Sequence, residues 1–125
     1  MDKTDIDTIV ARADRRAVYL NQVKHAKDTF RARSVLAWEG HIFELTQPFL
    51  SYVYVRFIEW ASDKNHGEES PIIFLDKNDE PVLVEDMSEF VNQMDEVYNE
   101  ALNEYHDTYS RLQLAQSTEE LIEVA

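Results

Sequence analysis

Five carboxylates at helical spacing, Glu89, Glu96, Glu100, Glu104 and Asp107, are the first residues of this chain whose types could do chemistry. Wound at 100° per residue, they fall within an arc of about 80°. Carboxylates so placed can hold a divalent metal, as in di-iron bundles and helical nucleotide pyrophosphohydrolases. Glu96, Glu100, Glu104 and Asp107 would then serve a metal-dependent hydrolase. Such sites, however, turn their carboxylates inward between helices. Here the stripe flanks an apolar face without joining it, and His106 points away from Glu100, so no Glu-x-x-His pair is made. A solvated face or a protein-docking strip is the better reading.

Asp76-Lys77-Asn78-Asp79-Glu80 begins like a calcium loop. An EF-hand needs Gly at its sixth position for the sharp turn and Glu at its twelfth for bidentate ligation. Those positions hold Pro81 and Met87, so the segment reads as a hairpin turn. The four histidines, His25, His41, His66 and His106, fall in separate parts of the chain, and no G-x-S-x-G, Walker A, H-E-x-x-H or G-x-G-x-x-G sequence occurs. With two glycines, a backbone cradle for phosphate is scarcely buildable. No catalytic residue, metal ligand or cofactor is therefore expected, and the chain does not read as an enzyme.

The balance of charge narrows the partners. The 125 residues carry a net charge of −13, and the excess is uneven. Residues 1–60 have a net of +1 and residues 61–125 a net of −14. Phosphate contacts want Lys or Arg, so nucleic acid is not expected as a direct ligand. Anionic membrane is disfavoured for the same reason, and the longest uncharged stretch, Leu45–Val55, is far short of a membrane span. The absence of Cys excludes a disulfide scaffold and a thiolate metal site. MDKTDIDTIV does not resemble a signal peptide, so a cytoplasmic protein is expected, or one in a virion if phage-encoded.

The elements that must position these residues follow from periodicity and punctuation. The length suits a single domain over 1–125. Residues 5–32 read as a basic helix within a segment 1–33, with Ile6, Ile9, Ala13, Leu20, Val23 and Phe30 in a weak heptad-like stripe broken by Arg16 and Lys27. In 34–62, Val35–Trp38 and His41–Leu45 flank Glu39-Gly40, a two-residue hairpin turn. Thr46 then caps a helix over Gln47–Ala61, with Pro48 in its first turn. If 34–46 were helical instead, the fold would be all-α. Ser62–Ser70 reads as a loop, and Pro71–Leu75 with Pro81–Glu85 as a second hairpin in 71–85. Asp86 and Glu89 start an acidic amphipathic helix over 86–115, and Ser117 with Glu120 repeat the pattern before a final turn in the tail 116–125. The expected fold is α+β and largely helical, three helices and two hairpins in the order α-β-β-α-β-β-α.

Gln47–Ala61 is apolar around most of its circumference, so it is either buried on several sides or covered by a partner. Tyr54, Ile58 and Trp60 are its expected partner-binding anchors. Arg12, Arg16, Lys27 and Arg31, with Glu96, Glu100 and Glu104, would supply rims of opposite sign. The leading expectation is a non-enzymatic protein-interaction module that binds protein partners or itself. It would be an accessory or structural subunit of a larger assembly, such as a bacteriophage virion or assembly protein. The alternatives are an acidic nucleic-acid mimic inhibiting a host DNA-binding or defence enzyme, and the metal-dependent hydrolase.

Overall fold

A computed structural model describes residues 3–65 and 71–124. Its elements are α1 (Lys3–Arg33), β1 (Val35–Trp38), β2 (His41–Glu44), α2 (Gln47–Asn65), β3 (Ile72–Leu75), β4 (Pro81–Val84), α3 (Met87–Leu114) and α4 (Thr118–Val124). The chain is mostly helical, with two antiparallel hairpins that form separate two-stranded sheets. The described residues hold four helices rather than three, because the tail closes a real helix. Ser117 Oγ accepts the Glu120 amide at 3.2 Å, and the Glu120 carboxylate accepts the Gln116 amide at 2.6 Å. The end expected at Ala61 is also corrected. With no Gly or Pro between Ala61 and Gly67, α2 runs on to Asn65; the rest of the expected loop, with His66, lies outside the described residues.

Local chemistry sets the other boundaries. Thr46 Oγ1 accepts the Phe49 amide at 3.3 Å, and Asp86 Oδ1 accepts the Glu89 amide at 3.0 Å, so α2 and α3 both begin at side-chain caps. Glu39 and Gly40 have φ of 50° and 83°, the positive pair that a two-residue hairpin needs to match strand twist. β1 and β2 pair in the register Val35↔Glu44 to Trp38↔His41, which buries Leu36 and Phe43 and turns Ile42 and Glu44 outward.

The residues group into two compact units, Met1–Ala32 with Leu102–Ala125, and Arg33–Ala101. The second contains an aromatic core. Phe90 of α3 meets Trp38 at 5.2 Å, Phe43 at 5.3 Å and Phe74 at 5.3 Å between ring centroids, so one side chain joins both hairpins. Leu50, Val53 and Trp60 of α2 are buried with them. The first unit has a smaller core of Leu112, Ala115 and Leu121, packed against Val18, Tyr19 and Val23. Arg15 Nη2 donates to Ala115 O at 3.0 Å and Gln22 Nε2 to Leu121 O at 3.1 Å.

The heptad-like stripe expected on α1 does not survive as one seam. Val23 and Phe30 face the packed side, while Ile6, Ile9, Ala13 and Leu20 are exposed. An α-helix drifts by about 20° per heptad against a 3.5 repeat, so residues three heptads apart leave the common face.

The Glu39-Gly40 turn gives the first test. A Cβ at Gly40 would meet nothing within 4 Å, so only backbone strain opposes a side chain there. Gly40→Val should destabilise the chain by about 1–2 kcal/mol, the cost of the left-handed conformation for an L-residue. Chemical denaturation measures it, and unchanged stability would be incompatible with this turn.

Candidate functional site

The β3–β4 hairpin is apolar on both faces. Its strands, IIFL and PVLV, carry no polar side chain, so alternation puts one apolar set inside and another outside. Ile72, Phe74, Val82 and Val84 are buried. Ile73, Leu75 and Leu83 are exposed at 57%, 57% and 46%. Ile73 pairs across the hairpin with Leu83, and Leu75 with Pro81, so the outer face presents two adjacent apolar cross-strand pairs. Acidic residues border this face, with Asp79 and Glu80 at the turn and Glu85 following β4, all exposed. Contiguous exposed apolar surface rimmed by polar groups marks interaction sites.

The turn of this hairpin is fastened to β2. Asp76 is buried, and its Oδ1 accepts the amides of Asn78 at 2.8 Å and Glu80 at 2.9 Å. Its Oδ2 accepts His41 Nδ1 at 2.8 Å, while Glu80 Oε2 stands 3.7 Å from the same nitrogen. Asp79 adopts φ of 60°, a conformation Asp tolerates better than most residues. Lys77 N donates to Ile42 O at 2.7 Å, and Lys77 Nζ lies 3.7 Å from Glu44 Oε1. The hydrogen bond from His41 holds the Asp76 carboxyl below its ordinary value of 3.8, against an upward push from burial and with help from the Glu80 and Asn78 amides. Among the described residues, His41, Asp76 and Glu80 are the three whose ligand atoms converge enough to hold a metal ion. With both carboxylate oxygens of Asp76 accepting hydrogen bonds from protein donors, one of them on β2, the arrangement works as a clasp between hairpins.

The anchors expected on α2 divide. Ile58 is 68% exposed and Tyr54 is also exposed, but Trp60 is 9% exposed and belongs to the core. Trp60 is therefore not available as a surface anchor. It falls on the face that carries Val53 and Leu50, spaced for a helix, and stacks with Phe57 at 6.0 Å. Tyr54 donates to Asp95 of α3, and this hydrogen bond, with burial and the charge of Asp95, pushes its pKa up to about 12. The described surface of α2 retains Val55 and Ile58 as an apolar pair.

The charged candidates are all exposed. Arg12 and Arg16 stand together with Arg15 and Tyr19 around a cavity of about 320 Å³ floored by Leu112 and Leu121, and the Arg16 guanidinium sits 5.6 Å over the Tyr19 ring. Lys27 and Arg31 lie farther along α1. Glu96 and Glu100 belong to the unit of Arg33–Ala101, whereas Glu104, Arg12, Arg16, Lys27 and Arg31 belong to the other. The α3 carboxylates do not converge on a common point among the described residues, as a hydrolase metal site would need.

Ile73, Leu75, Pro81 and Leu83 were not among the residues expected at a partner surface. Their signal was present as four successive apolar residues in each strand, too many for a hairpin covered on one side only. No protein-family model, curated protein or solved structure matches the chain. Among the described residues no helix is long and apolar enough to cross a membrane.

Two outcomes follow from these placements. Trp60→Ala should cost about 3–5 kcal/mol of folding stability, whereas Ile58→Ala should stay within about 0.5 kcal/mol, as judged by denaturant titration. For Asp76, the folded pKa lies below the unfolded one, so the stabilisation tied to its charge is present above about pH 4 and lost as pH falls through the folded value. The melting-temperature gap between the wild type and Asp76→Asn should therefore narrow on acidification below pH 4. A gap that persists undiminished at pH 2 would assign the effect to shape rather than charge.

Proposed function

We propose that this chain is a non-enzymatic protein-interaction module, an accessory or structural subunit of a larger assembly. Its partner is a basic protein that lays an apolar segment on the outer face of the β3–β4 hairpin. The exposed cross-strand pairs Ile73–Leu83 and Leu75–Pro81 are the observation that carries this reading. Leaving such a face in water has no folding benefit, because the opposite face already supplies the core. The sign of the partner follows from the surroundings. Residues 33–101 hold four basic and fifteen acidic groups, so a basic rim on the partner speeds encounter and fixes register while apolar burial supplies affinity. A small acidic subunit of this kind suits a bacteriophage virion or assembly intermediate, or the cytoplasm where one is built.

The exposed carboxylates Glu89, Glu96 and Glu100 favour the second reading, an acidic mimic that occupies a nucleic-acid-binding enzyme. Salt separates the two. Burial of Ile73 and Leu83 persists at high ionic strength, while a phosphate mimic releases its partner steeply.

The test pairs co-purification from the native source with direct titration of the captured, purified partner. Ile73→Lys combined with Leu83→Lys should weaken binding by at least about tenfold and leave the circular dichroism spectrum unchanged, since both side chains are exposed. Binding that survives this double variant, yet collapses in Glu96→Lys with Glu100→Lys and is competed by DNA, overturns hairpin docking in favour of mimicry.

A further inference from the structure

The first turns of α1 carry a second apolar surface that packing within its own unit does not use. Val18, Tyr19, Gln22, Val23, Ala26 and Phe30 make the face of α1 that packs within its unit. Nearly opposite, Ile6, Ile9, Val10, Ala13, Ala17 and Leu20 recur at helical spacing within an arc of about 100°. All six are exposed, with Ile6, Ile9, Val10 and Leu20 between 48% and 53%. The line ends where Lys24, Lys27 and Arg31 continue it, so the apolar run extends over two heptads.

The charges along this stripe identify what covers it. Asp7 and Asp14 border one edge, and Arg12 and Arg16 border the other, all exposed. Two helices that pair in parallel about a two-fold axis along their length set each edge of one against the opposite edge of its mate. Asp14 of one copy then lies level with Arg12 and Arg16 of the other, twice over. An antiparallel pair centred on Ala13 would instead set arginine edge against arginine edge and aspartate against aspartate, which is repulsive. Asp5 stands on the arginine edge, but in the first turn, where its charge also complements the helix dipole.

We propose that α1 is a self-association element, pairing in parallel and in register with α1 of a second copy through Ile6, Val10, Ala13, Ala17 and Leu20. It is carried independently of the hairpin face and goes beyond it, since it adds a two-fold copy number to the module. The alanines at positions 13 and 17 allow close approach of the two backbones, and the short seam makes the dimer weak and concentration-dependent.

Sedimentation velocity across about a hundredfold range of concentration should show a monomer–dimer equilibrium for the full chain. Ile9→Glu places a carboxylate at the seam margin and Ala17→Glu one within it. Each should raise the dissociation constant at least about tenfold, with helicity unchanged because both positions face away from the packed side. Charge exchange tests the pairing. Asp14→Arg, and Arg12→Glu with Arg16→Glu, should each weaken self-association, and an equimolar mixture should form the heterodimer.

Direction is read by crosslinking, which the absence of native cysteine makes clean. Ile6→Cys and Leu20→Cys should each form disulfide-linked homodimers when oxidised separately. Crosslinking only in a mixture of the two would mean antiparallel pairing and overturn the proposal, as would a monomer at every concentration. The Ile73→Lys, Leu83→Lys chain should still dimerise. If it does not, self-association belongs to the hairpin face and the α1 proposal fails, while loss of partner binding with dimerisation intact leaves each surface its own role.

Discussion

Phe90 is the contact on which the unit of Arg33–Ala101 depends. Two-stranded hairpins are marginal in water alone, and here two of them remain separate sheets. Phe90 reaches Trp38, Phe43 and Phe74, so α3 supplies the body against which both hairpins acquire an inside. Each such ring pair is worth about 0.5–1.5 kcal/mol beyond simple burial. Phe49 of α2 completes the cluster, stacking on Phe43 at 5.6 Å and meeting Phe74 edge-on at 6.0 Å. The side chains that meet there are thus drawn from five elements, and the choice of face in each strand follows from them.

With both faces of β3–β4 apolar, hydrophobicity alone does not fix which residues point inward. A slip by one residue would set Ile73, Leu75, Pro81 and Leu83, another wholly apolar set, in place of Ile72, Phe74, Val82 and Val84. The turn removes that ambiguity. The Asp76 side chain takes two amides of its own loop, those of Asn78 and Glu80, and the His41 ring of the other hairpin, a set of partners tied to the observed position of the turn. A buried carboxylate therefore does for this hairpin what polar alternation does for most.

Much of the architecture could be read in the chain because it rests on local chemistry. Glu39-Gly40 announces its turn through positive φ, Thr46 and Asp86 announce helix starts through their side-chain oxygens, and the period of α3 places Phe90, Met94 and Ala101 inward. What was not legible depends on partners distant in sequence. His41 and Asp76 are 35 residues apart, and nothing in either neighbourhood points to the other. Trp60 looked like an anchor on a helix apolar all round, and only the position of the core decides which part of that circumference is buried. The division of the α1 stripe into a packed and an open side likewise depends on where Leu112 and Leu121 come to lie.

The hairpins also bear on how quickly the unit assembles. One closes over two residues and the other over five, so every strand pairing joins near neighbours along the chain. Sheet formation is slow when loop closure must precede it over long distances, and here that entropic delay is small. Hairpin closure of this type takes on the order of microseconds. α3 follows both hairpins in the chain, so the contacts of Phe90 with Phe43 and Phe74 close longer stretches of chain than either turn does. In a chain made from its N-terminus, Phe43 and Phe74 therefore both precede the α3 ring that packs on them.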